Sequence, residues 1–210
     1  MTIKLYDWAG SPNGRKIRAL AIELGIDLEV QNVDLMKGEQ LQPEYLALNP
    51  NGKIPMLEEN GWRLWESAAI LCYLADKKPE KGLYPTDARK RAEVIKWLCW
   101  DQGHFAAEAV FRLARENFRP QFNEGEVRPE VVKDGQEAWT KFANVLSLSL
   151  EGNDWLVGNT FSIADLAIAG TLSAREWAKV DLSKYPRIAA YVERLEQRDS
   201  WKRTPPPSMG

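Results

Sequence analysis

The sequence predicts a small α+β domain followed by a larger all-α domain. The first part of the chain mixes strand and helix patterns, the connector "DKKPEKGLYPTD" is punctuated by proline and glycine, and no strand pattern follows it. We therefore predict an α+β domain over residues 1–78, a linker over 79–87, an all-helical domain over 88–203 and a loose tail over 204–210.

The first domain opens with a strand, a helix and a second strand. "IKLY" alternates apolar and polar residues, as a half-buried strand does. Ile17, Leu20 and Leu24 then recur at helical spacing, and Gly25 occupies the position of a C-terminal helix cap. "LEVQNVDL" has the pattern of a second strand. A strand, a helix and a strand in this order predict a right-handed parallel crossover.

A hairpin and a helix complete the first domain. "KIPMLEENGWRLW" predicts two antiparallel strands, because Asn60-Gly61 is the dipeptide that type I′ turns favour. An apolar stripe predicts a helix directly after it, and Ser67 is placed to cap that helix. The element order is therefore βαβ followed by ββα.

The second domain is predicted to be helical throughout. Apolar residues three or four apart predict one long helix over 87–118, and further helices over "PEVVKDGQEAWTKFANVLSLSL", "SIADLAIAGTLSAREWA" and "PRIAAYVERLEQR". Ser162, with Asp165 three residues later, is typical of a capping box at a helix start and not of a catalytic pair. The final "TPPPSMG" should be extended or loose.

Composition excludes several classes of function. A net charge of −2 and a pI of about 5.7 give no broad basic surface, so nucleic acid is not expected as a partner. We find no signal-peptide pattern and no apolar run of the ~20 residues that a membrane helix needs, so no membrane association is expected. Cys72 and Cys99 lie in helical patterns, which favours reduced thiols and a cytoplasmic location. One histidine, His104, and two cysteines without metal-ligand spacing predict no metal site.

The turn in "YDWAGSPNGRKIRAL" carries the first candidate functional residues. Ser11 precedes Pro12, the favoured first residue of a helix, so Ser11 is well placed as the N-cap. The free N–H groups of a helix start stabilise an anion, and Ser11 and Asn13 can each offer it a hydrogen bond. No general base lies nearby in sequence, so a hydrolase triad is not supported. From this segment alone, both capping and ligand binding remain open for Ser11.

Two further segments have features of a peptide-binding site. In "NPNGKIP", Pro55 opens a strand; a cis bond before it would suit such a turn, and the Ile54 backbone could pair with an extended peptide. In "WES", Glu66 and Ser67 stand at a helix start, where a hydroxyl and N–H groups bind a carboxylate and the acid binds an ammonium group. The alternatives are a plain loop and a plain helix cap.

Taken together, these segments resemble a known family. "SPNGRK", "NPNGKIP", "WESAAILCYLA" and "GNTFSIADLAIAG" stand in the order and spacing seen in cytosolic glutathione transferases, and the resemblance covers essentially the whole chain. It implies a thioredoxin-like α+β N-terminal domain followed by an all-α helical domain. It also implies a homodimer.

The resemblance further implies that glutathione is the co-substrate, without a metal. The thiol of glutathione would lie beside Ser11 and Asn13, the implied catalytic residues. Its γ-glutamyl head, cysteinyl backbone and glycyl carboxylate would contact, in that order, Glu66 and Ser67, Ile54 and Pro55, and Lys53 and Gln40.

A serine in the turn resembles the bacterial serine-type branches, theta-like or nu-like. The implied reaction is attack of the Ser11-stabilised thiolate on a small hydrophobic electrophile. Since nu-like transferases carry Thr-Pro-Asn and reduce small disulfides, a glutathione-dependent disulfide or peroxide reductase is an alternative, as is a non-catalytic glutathione-binding scaffold. Tyr6, in the preceding strand, is an alternative hydroxyl donor.

The second substrate is expected to lie between the two domains. The predicted lining residues are Trp8, His104, Phe105, Phe111 and Trp177, each with simple packing as the alternative. In a homodimer, Asp101 and Gln102 are predicted to reach the glutathione head group of the partner subunit.

Overall fold

The computed structural model describes residues 3–122 and 124–206, and it confirms the predicted fold class. The chain divides into two compact units, one comprising Met1–Tyr84 with Asp199–Gly210 and the other Pro85–Arg198. The first contains a four-stranded sheet with helices, and the second is helical. Within the described ranges, no helix has the length and apolar character needed to cross a membrane.

The sheet of the first unit has the strand order β2-β1-β3-β4. Its strands are β1 (Ile3–Asp7), β2 (Leu28–Asn32), β3 (Met56–Glu59) and β4 (Trp62–Trp65). β1 pairs parallel to β2 through the crossover helix α1 (Pro12–Leu24), and β3 runs antiparallel to both β1 and β4. Both the predicted crossover and the predicted hairpin are present.

The hairpin turn has the predicted chemistry, but the next helix begins differently. Asn60 and Gly61 both adopt positive φ angles, 52° and 80°, as a type I′ turn requires. Ser67, predicted to cap the following helix, is instead the first residue of α3 (Ser67–Asp76). The N-cap is Glu66, with φ at 72°, which stands between the end of β4 at Trp65 and the start of α3. A short helix, α2 (Pro43–Leu46), precedes β3.

The helix predicted over 87–118 is one continuous helical run with an irregular centre. It comprises α4 (Ala88–Trp100), a π-helical segment (Asp101–Val110) and α5 (Phe111–Phe118). Asp87 caps its start by accepting a hydrogen bond from the N–H of Lys90 at 3.0 Å. A π-helix has wider turns than an α-helix. In and after this segment, the side of the helix on which a residue lies therefore differs from the side that α-helical spacing predicts.

Four helices complete the second unit. They are α6 (Pro129–Ser149), α7 (Ile163–Leu172), α8 (Arg175–Ala178) and α9 (Pro186–Gln197). The helix predicted over "SIADLAIAGTLSAREWA" is therefore two helices, α7 and α8. The chain turns between them at Ser173, whose hydroxyl donates to the Gly170 carbonyl at 2.7 Å.

The capping box before α7 is formed as predicted. The Ser162 hydroxyl accepts from the N–H of Ala164 at 3.2 Å, and the Asp165 carboxylate accepts from the N–H of Ser162 at 2.8 Å. The other Asp165 oxygen accepts from Tyr191 and from the N–H of Leu156, both at 3.0 Å. All four bonds are intramolecular and Asp165 is fully buried, so this Ser–Asp pair is structural.

The chain end returns to the first unit through the short helix α10 (Asp199–Lys202), which differs from the predicted domain boundary at 203. The Arg15 guanidinium lies 3.9 Å from the Trp201 ring centroid and donates to the Trp201 carbonyl at 3.1 Å. Thr204 is buried and donates to the Ser200 carbonyl at 2.9 Å, so the predicted tail over 204–210 begins too early. The rest of that tail, from 207, lies outside the described residues.

Candidate active site

Ser11 is the N-cap of α1, and its geometry leaves its proton available to a ligand. Its φ and ψ angles are −74° and 120°, and its oxygen accepts a hydrogen bond from the N–H of Gly14 at 3.0 Å. A hydroxyl both accepts and donates, so this bond occupies the oxygen and not the O–H. The side chain keeps 8% of its surface exposed. Capping and donation to a ligand, left open by the sequence, are therefore compatible.

Asn13 brings a second helix start next to the first. It lies half-buried in the first turn of α1, and the Ser67 hydroxyl donates to its side-chain oxygen at 3.5 Å. Ser67 is buried at the first position of α3. Asn13 and Ser67 are 54 residues apart in sequence, so their contact shows that the N-termini of α1 and α3 converge. Two converging helix starts concentrate free N–H groups and partial positive charge at one place.

The loop before β3 has the predicted cis bond between Ile54 and Pro55. The Lys53 carbonyl accepts two hydrogen bonds of 2.7 Å, from the Tyr45 hydroxyl and from the Asn49 amide. Ile54 precedes Met56, the first paired residue of β3, so its backbone lies outside the pairing of the sheet. Neither Tyr45 nor Asn49 is among the residues predicted from the sequence, although Asn-Pro turns commonly use the asparagine side chain.

Gln40 lies against the same loop. A Cβ added to Gly52, whose φ is 59°, would lie 3.1 Å from the Gln40 carbonyl oxygen, so the two backbones nearly touch. Gln40 is half-buried, whereas the Lys53 side chain is exposed. The structure therefore places Gln40 close to the segment that contains Lys53 and Ile54.

Glu66 is exposed and has a strained backbone. A φ of 72° is rarely adopted by a residue with a side chain and costs on the order of 1–3 kcal/mol. Strain of this kind persists where the surrounding structure enforces it, and it clusters at functional sites. Glu66 directly precedes Ser67, so it lies beside the converging helix starts.

Tyr6 is not placed like Ser11. Its hydroxyl donates to the Glu58 carboxylate at 3.5 Å, and its ring packs against that of Tyr45 with the centroids 6.3 Å apart. Burial, followed by the negative charge of Glu58, raises the pKa of the Tyr6 hydroxyl. The hydroxyl is directed toward β3, so Ser11 remains the better donor at the start of α1.

Trp8 and Phe105, both predicted to line the second-substrate pocket, differ in their surroundings. Trp8 is half-buried, with its ring folded over Gly10, where a Cβ would lie 2.5 Å from it. Phe105 is fully buried, with its ring 5.0 Å from that of Trp100 and 5.8 Å from that of Trp139. Phe105 is therefore a packing residue of the second unit and we remove it from the predicted pocket.

The other three predicted pocket residues keep exposed surface. His104 is exposed and its ring lies 2.9 Å from the Glu108 carboxylate. Phe111 and Trp177 are half-buried, and the Trp177 ring meets the edge of Phe118 with the centroids 5.7 Å apart. These positions are compatible with the prediction but do not test it.

Asp101 does not have the exposure that its predicted role needs. It is fully buried at the start of the π-helical segment, where its carboxylate accepts from the Thr171 hydroxyl at 2.7 Å. Gln102 is half-buried, and its amide lies 3.4 Å from the same carboxylate. A carboxylate without exposed surface cannot meet a ligand of a partner subunit, so we retain only Gln102 for that role.

Sequence reasoning missed Asp7, which lies under the first turn of α1. Its side chain is fully buried and 3.3 Å from the guanidinium of Arg18. Burial raises the pKa of Asp7 to about 6, although the charge of Arg18 and the N–H of Trp8 oppose that shift. A signal existed in the sequence, because strand alternation places Asp7 on the same face as Ile3 and Leu5.

Comparisons with known proteins agree with this fold. The family model "Glutathione S-transferase, N-terminal domain" matches residues 1–76, and "Glutathione S-transferase, C-terminal domain" matches 66–199. Glutathione S-transferase D7 of Drosophila melanogaster is 34% identical over 91% of this chain and 83% of its own. The disulfide-bond oxidoreductase YfcG of Escherichia coli is 33% identical over 93% of this chain and 91% of its own.

A solved structure shows the same likeness. The glutathione S-transferase of Pseudomonas fluorescens superposes with a TM-score of 0.83 at 33% identity, covering 95% of this chain and 97% of that one. The chain therefore belongs to the glutathione S-transferase family, and it is an enzyme of that family, a glutathione transferase.

Proposed function

We propose that Ser11 stabilises the thiolate of bound glutathione, and that this thiolate attacks a small hydrophobic electrophile. The observation that carries the proposal is the Ser11 hydroxyl, which accepts a hydrogen bond from Gly14 and donates none to the residues that the structure describes. It lies at the N-terminus of α1, which converges with the N-terminus of α3. In the reaction, sulfur forms a bond to the electrophilic carbon and the leaving group departs with its electron pair.

Hydrogen bonding and the helix N-terminus can lower the pKa of the bound thiol far enough without a metal. A free thiol has a pKa of about 8.5, and lowering it by about two pH units requires about 2.7 kcal/mol. A hydrogen bond to a charged group contributes about 1.5–3 kcal/mol. A helix N-terminus adds about 0.3–1 kcal/mol. Ser11 together with the start of α1 can therefore supply the whole shift, with Asn13 as a second polar group beside the sulfur.

The remaining contacts to glutathione follow the three parts of the tripeptide. We assign its γ-glutamyl head to Glu66 and Ser67 at the start of α3, where N–H groups bind a carboxylate. We assign its cysteinyl backbone to Ile54 and Pro55, since Ile54 lies outside the strand pairing. The glycyl carboxylate is assigned to Lys53 and Gln40.

A second candidate reaction is reduction of a small disulfide, in the manner of the nu-like, serine-type bacterial branch. The similarity to an enzyme named disulfide-bond oxidoreductase favours it, as does the Ser-Pro-Asn triplet of the turn. The bound thiolate would attack the disulfide, release one thiolate and form a mixed disulfide. A second glutathione would then release the other thiolate and form glutathione disulfide. The same Ser11 would serve, so both candidates share one activation step.

We further propose a homodimer and a cytoplasmic location. Trp62 and Trp65 leave 48% and 42% of their surfaces exposed on β4, an edge strand of the sheet. Exposed aromatic side chains on a strand edge are typical of an interface. Cys72 and Cys99 form no disulfide among the described residues, which suits a reducing compartment. Trp8, His104, Phe111 and Trp177 remain the candidates for contact with the second substrate, which is either a small hydrophobic electrophile or a small disulfide.

The test is a pH titration of the ultraviolet absorbance of the thiolate in bound glutathione. In the wild-type chain we expect its pKa well below the free value of about 8.5. Ser11→Ala should lose the shift and also the helix cap, whereas Ser11→Asp keeps a capping oxygen but has no proton to donate. Loss of the shift in both variants, with retention in Ser11→Thr, would assign it to the donated proton.

The control variant for this titration is Ser149→Ala. Ser149→Ala removes a hydroxyl in α6 that donates only to the Val145 carbonyl among the described residues, so it should leave the titration unchanged. A thiol with its ordinary pKa in the wild-type complex would exclude activation by Ser11. Product analysis with an aryl halide and with a small mixed disulfide would then separate transferase from reductase.

A further inference from the structure

The starting observation is the close contact between Asp7 and Gly14. Asp7 is the last residue of β1 and is fully buried. A Cβ added to Gly14 would lie 1.8 Å from one carboxylate oxygen of Asp7 and 2.1 Å from the other. The backbone of the first turn of α1 therefore rests directly on the carboxylate, and only glycine allows this approach.

Gly14 also contacts Ser11. Its N–H donates the 3.0 Å hydrogen bond to the Ser11 oxygen, so one residue touches both the buried carboxylate and the proposed thiolate donor. Any movement of the carboxylate therefore acts on the group that orients the Ser11 hydroxyl.

Arg18 forms a second connection between Asp7 and the turn. One end of its guanidinium lies 3.3 Å from Asp7, and the other donates to the Ala9 carbonyl at 3.0 Å. Ala9 lies between β1 and Ser11, in the turn that the N–H of Ser11 closes by donating to the Trp8 carbonyl at 2.8 Å. The ion pair thus ties the end of β1 to the turn as well as to α1.

The surroundings of Asp7 do not favour its charge. Burial raises the pKa of Asp7 to about 6. The carboxylate is therefore ionised at neutral pH, but its buried charge is energetically unfavourable. The charged group facing it is Arg18 from α1. The phenol of Tyr45 from α2 is also nearby and stays neutral, because burial raises the pKa of Tyr45 to about 12. An unfavourable buried charge next to a candidate active site is a functional signal.

We propose that Asp7 is a positioning residue for Ser11, which acts through Gly14 and Arg18 to hold the βα turn in the shape that directs the Ser11 hydroxyl at the sulfur of glutathione. This inference rests on the proposed function of Ser11 and adds to it a residue that does not touch the substrate. It includes no new chemical step.

A purely electrostatic role of Asp7 makes the opposite prediction. A negative charge near the sulfur disfavours a second negative charge, so its removal alone would lower the pKa of the bound thiol. If Asp7 acts by positioning, its removal weakens the hydrogen bond from Ser11 and raises that pKa. The direction of the change therefore separates the two roles.

The experiment uses Asp7→Asn, which preserves the size of the side chain. We expect the pKa of bound glutathione to rise by about one pH unit, from about 6.5 to about 7.5. At pH 6.5, kcat/KM with an aryl halide should then fall about fivefold, since the thiolate fraction falls from about one half to about one tenth. Asp27→Asn makes the same change at an exposed position before β2 and should alter neither quantity.

A second set of variants tests the connection through Arg18. Arg18→Met should raise the pKa of the bound thiol in the same direction, and the double variant Asp7→Asn with Arg18→Met should raise it no further than the larger single change, because the pair acts as one unit. Circular dichroism and the melting temperature report whether each chain is folded, and Arg18→Gln, which also removes the charge, replaces Arg18→Met if that variant does not fold.

The outcomes also separate this inference from the proposed function. A wild-type thiol whose pKa is lowered in a Ser11-dependent manner, together with an unchanged or lowered pKa in Asp7→Asn, would overturn the role of Asp7 alone. An ordinary thiol pKa in the wild-type complex would overturn the proposed function, and the role of Asp7 with it. A raised pKa in Asp7→Asn and in the Arg18 variant, with Asp27→Asn unchanged, is the expected result.

Discussion

At the residue scale, Ser11 is held by two neighbours, because Gly14 contacts both the Ser11 oxygen and the Asp7 carboxylate. Gly14 supplies the N–H that donates a hydrogen bond to the Ser11 oxygen, and its missing side chain makes room for the Asp7 carboxylate. Because interiors are close-packed, a single added carbon atom at Gly14 has no space to occupy. The chemistry of the turn is therefore set by packing as well as by hydrogen bonds.

Gly14→Ala should destabilise the fold, because its new carbon would overlap the Asp7 carboxylate. Overpacking of this kind costs about 1–3 kcal/mol. Asp7→Ala removes the overlapping atoms, so the double variant should unfold at a higher denaturant concentration than Gly14→Ala alone. Strictly additive losses across the two single variants and the double variant would contradict a direct clash.

The titration of Asp7 should be visible in the stability of the protein. Its pKa of about 6 in the fold exceeds the usual value near 3.8, so the folded state holds the proton more tightly. The free energy of unfolding should therefore contain a contribution that is complete below about pH 4 and is lost as pH rises to about 6, on the order of 2–3 kcal/mol. Asp7→Asn should flatten this part of the curve in urea titrations at several pH values; an unchanged slope would contradict a buried, titrating Asp7.

At the element scale, the second unit relies on specific contacts at helix ends. Ser162 and Asp165 cap α7. Glu116 in α5 forms an ion pair with Arg128, the residue directly before α6. Both oxygens of Glu116 contact the Arg128 guanidinium, at 3.1 Å and 2.6 Å, and one also accepts from the Arg128 N–H at 2.8 Å. Bidentate pairs of this kind determine relative helix placement, because both partners are fixed in direction.

Ser162→Ala should reduce the free energy of unfolding by about 1 kcal/mol, the usual cost of a lost N-cap. The hydroxyl satisfies the N–H of Ala164, which is buried with it. Ser162→Asp should recover less than Ser162→Thr, because a second carboxylate would lie beside Asp165. Thermal unfolding monitored by circular dichroism is the measurement, and an equal melting temperature for wild type and Ser162→Ala would contradict a stabilising cap.

Glu116 should contribute to stability with the opposite dependence on pH to Asp7. The hydrogen bonds from Arg128 lower the pKa of Glu116 to about 2. A lowered pKa gives a contribution that is present above the usual value near 4.5 and is lost as pH falls toward 2. Glu116→Gln should therefore reduce the acid sensitivity between those values, whereas Glu137→Gln, at an exposed position of α6, should not. Parallel acid-unfolding curves for wild type and Glu116→Gln would contradict this role.

At the scale of the whole molecule, the exposed edge of the sheet is the surface that we propose for assembly. β2 and β4 are the two edge strands, and β4 presents Trp62 and Trp65 to solvent. The Trp62 ring lies against Tyr73 of α3 with the centroids 4.8 Å apart, so the aromatic surface extends from the strand to a helix. An aromatic surface on an edge strand requires cover if the protein is to stay dispersed.

Trp62→Lys should weaken the proposed homodimer. Placing a charge in an apolar interface leaves it without solvent or a partner, which is unfavourable. Sedimentation velocity should show a dimer for wild type and a monomer for the variant at the same concentration. Leu148→Lys, at an even more exposed apolar position on α6, is the control and should remain a dimer. A wild-type chain that sediments as a monomer would contradict the proposed assembly.

Much of the first unit could be predicted because its signals are local. The alternation of β1, the Ser-Pro start of α1, the Asn-Gly turn and the capping box depend on residues within about four positions of one another. The same holds for Ser11, Ile54 and Pro55 as candidate site residues, since each stands at an element boundary that its own neighbours define. These features were determined by the sequence itself.

Other features were decided only by the tertiary structure. Three of them depend on which elements meet after folding. These are the contact of Asn13 with Ser67, the close approach of Asp7 to Gly14, and the full burial of Asp101 and Phe105. The π-helical segment changes which residues of the predicted long helix lie on the same side of it. The short helix α10 belongs to the first unit and contacts it through Trp201. Burial and long-range contact depend on the packing of the whole chain, and no short stretch of sequence contains that information.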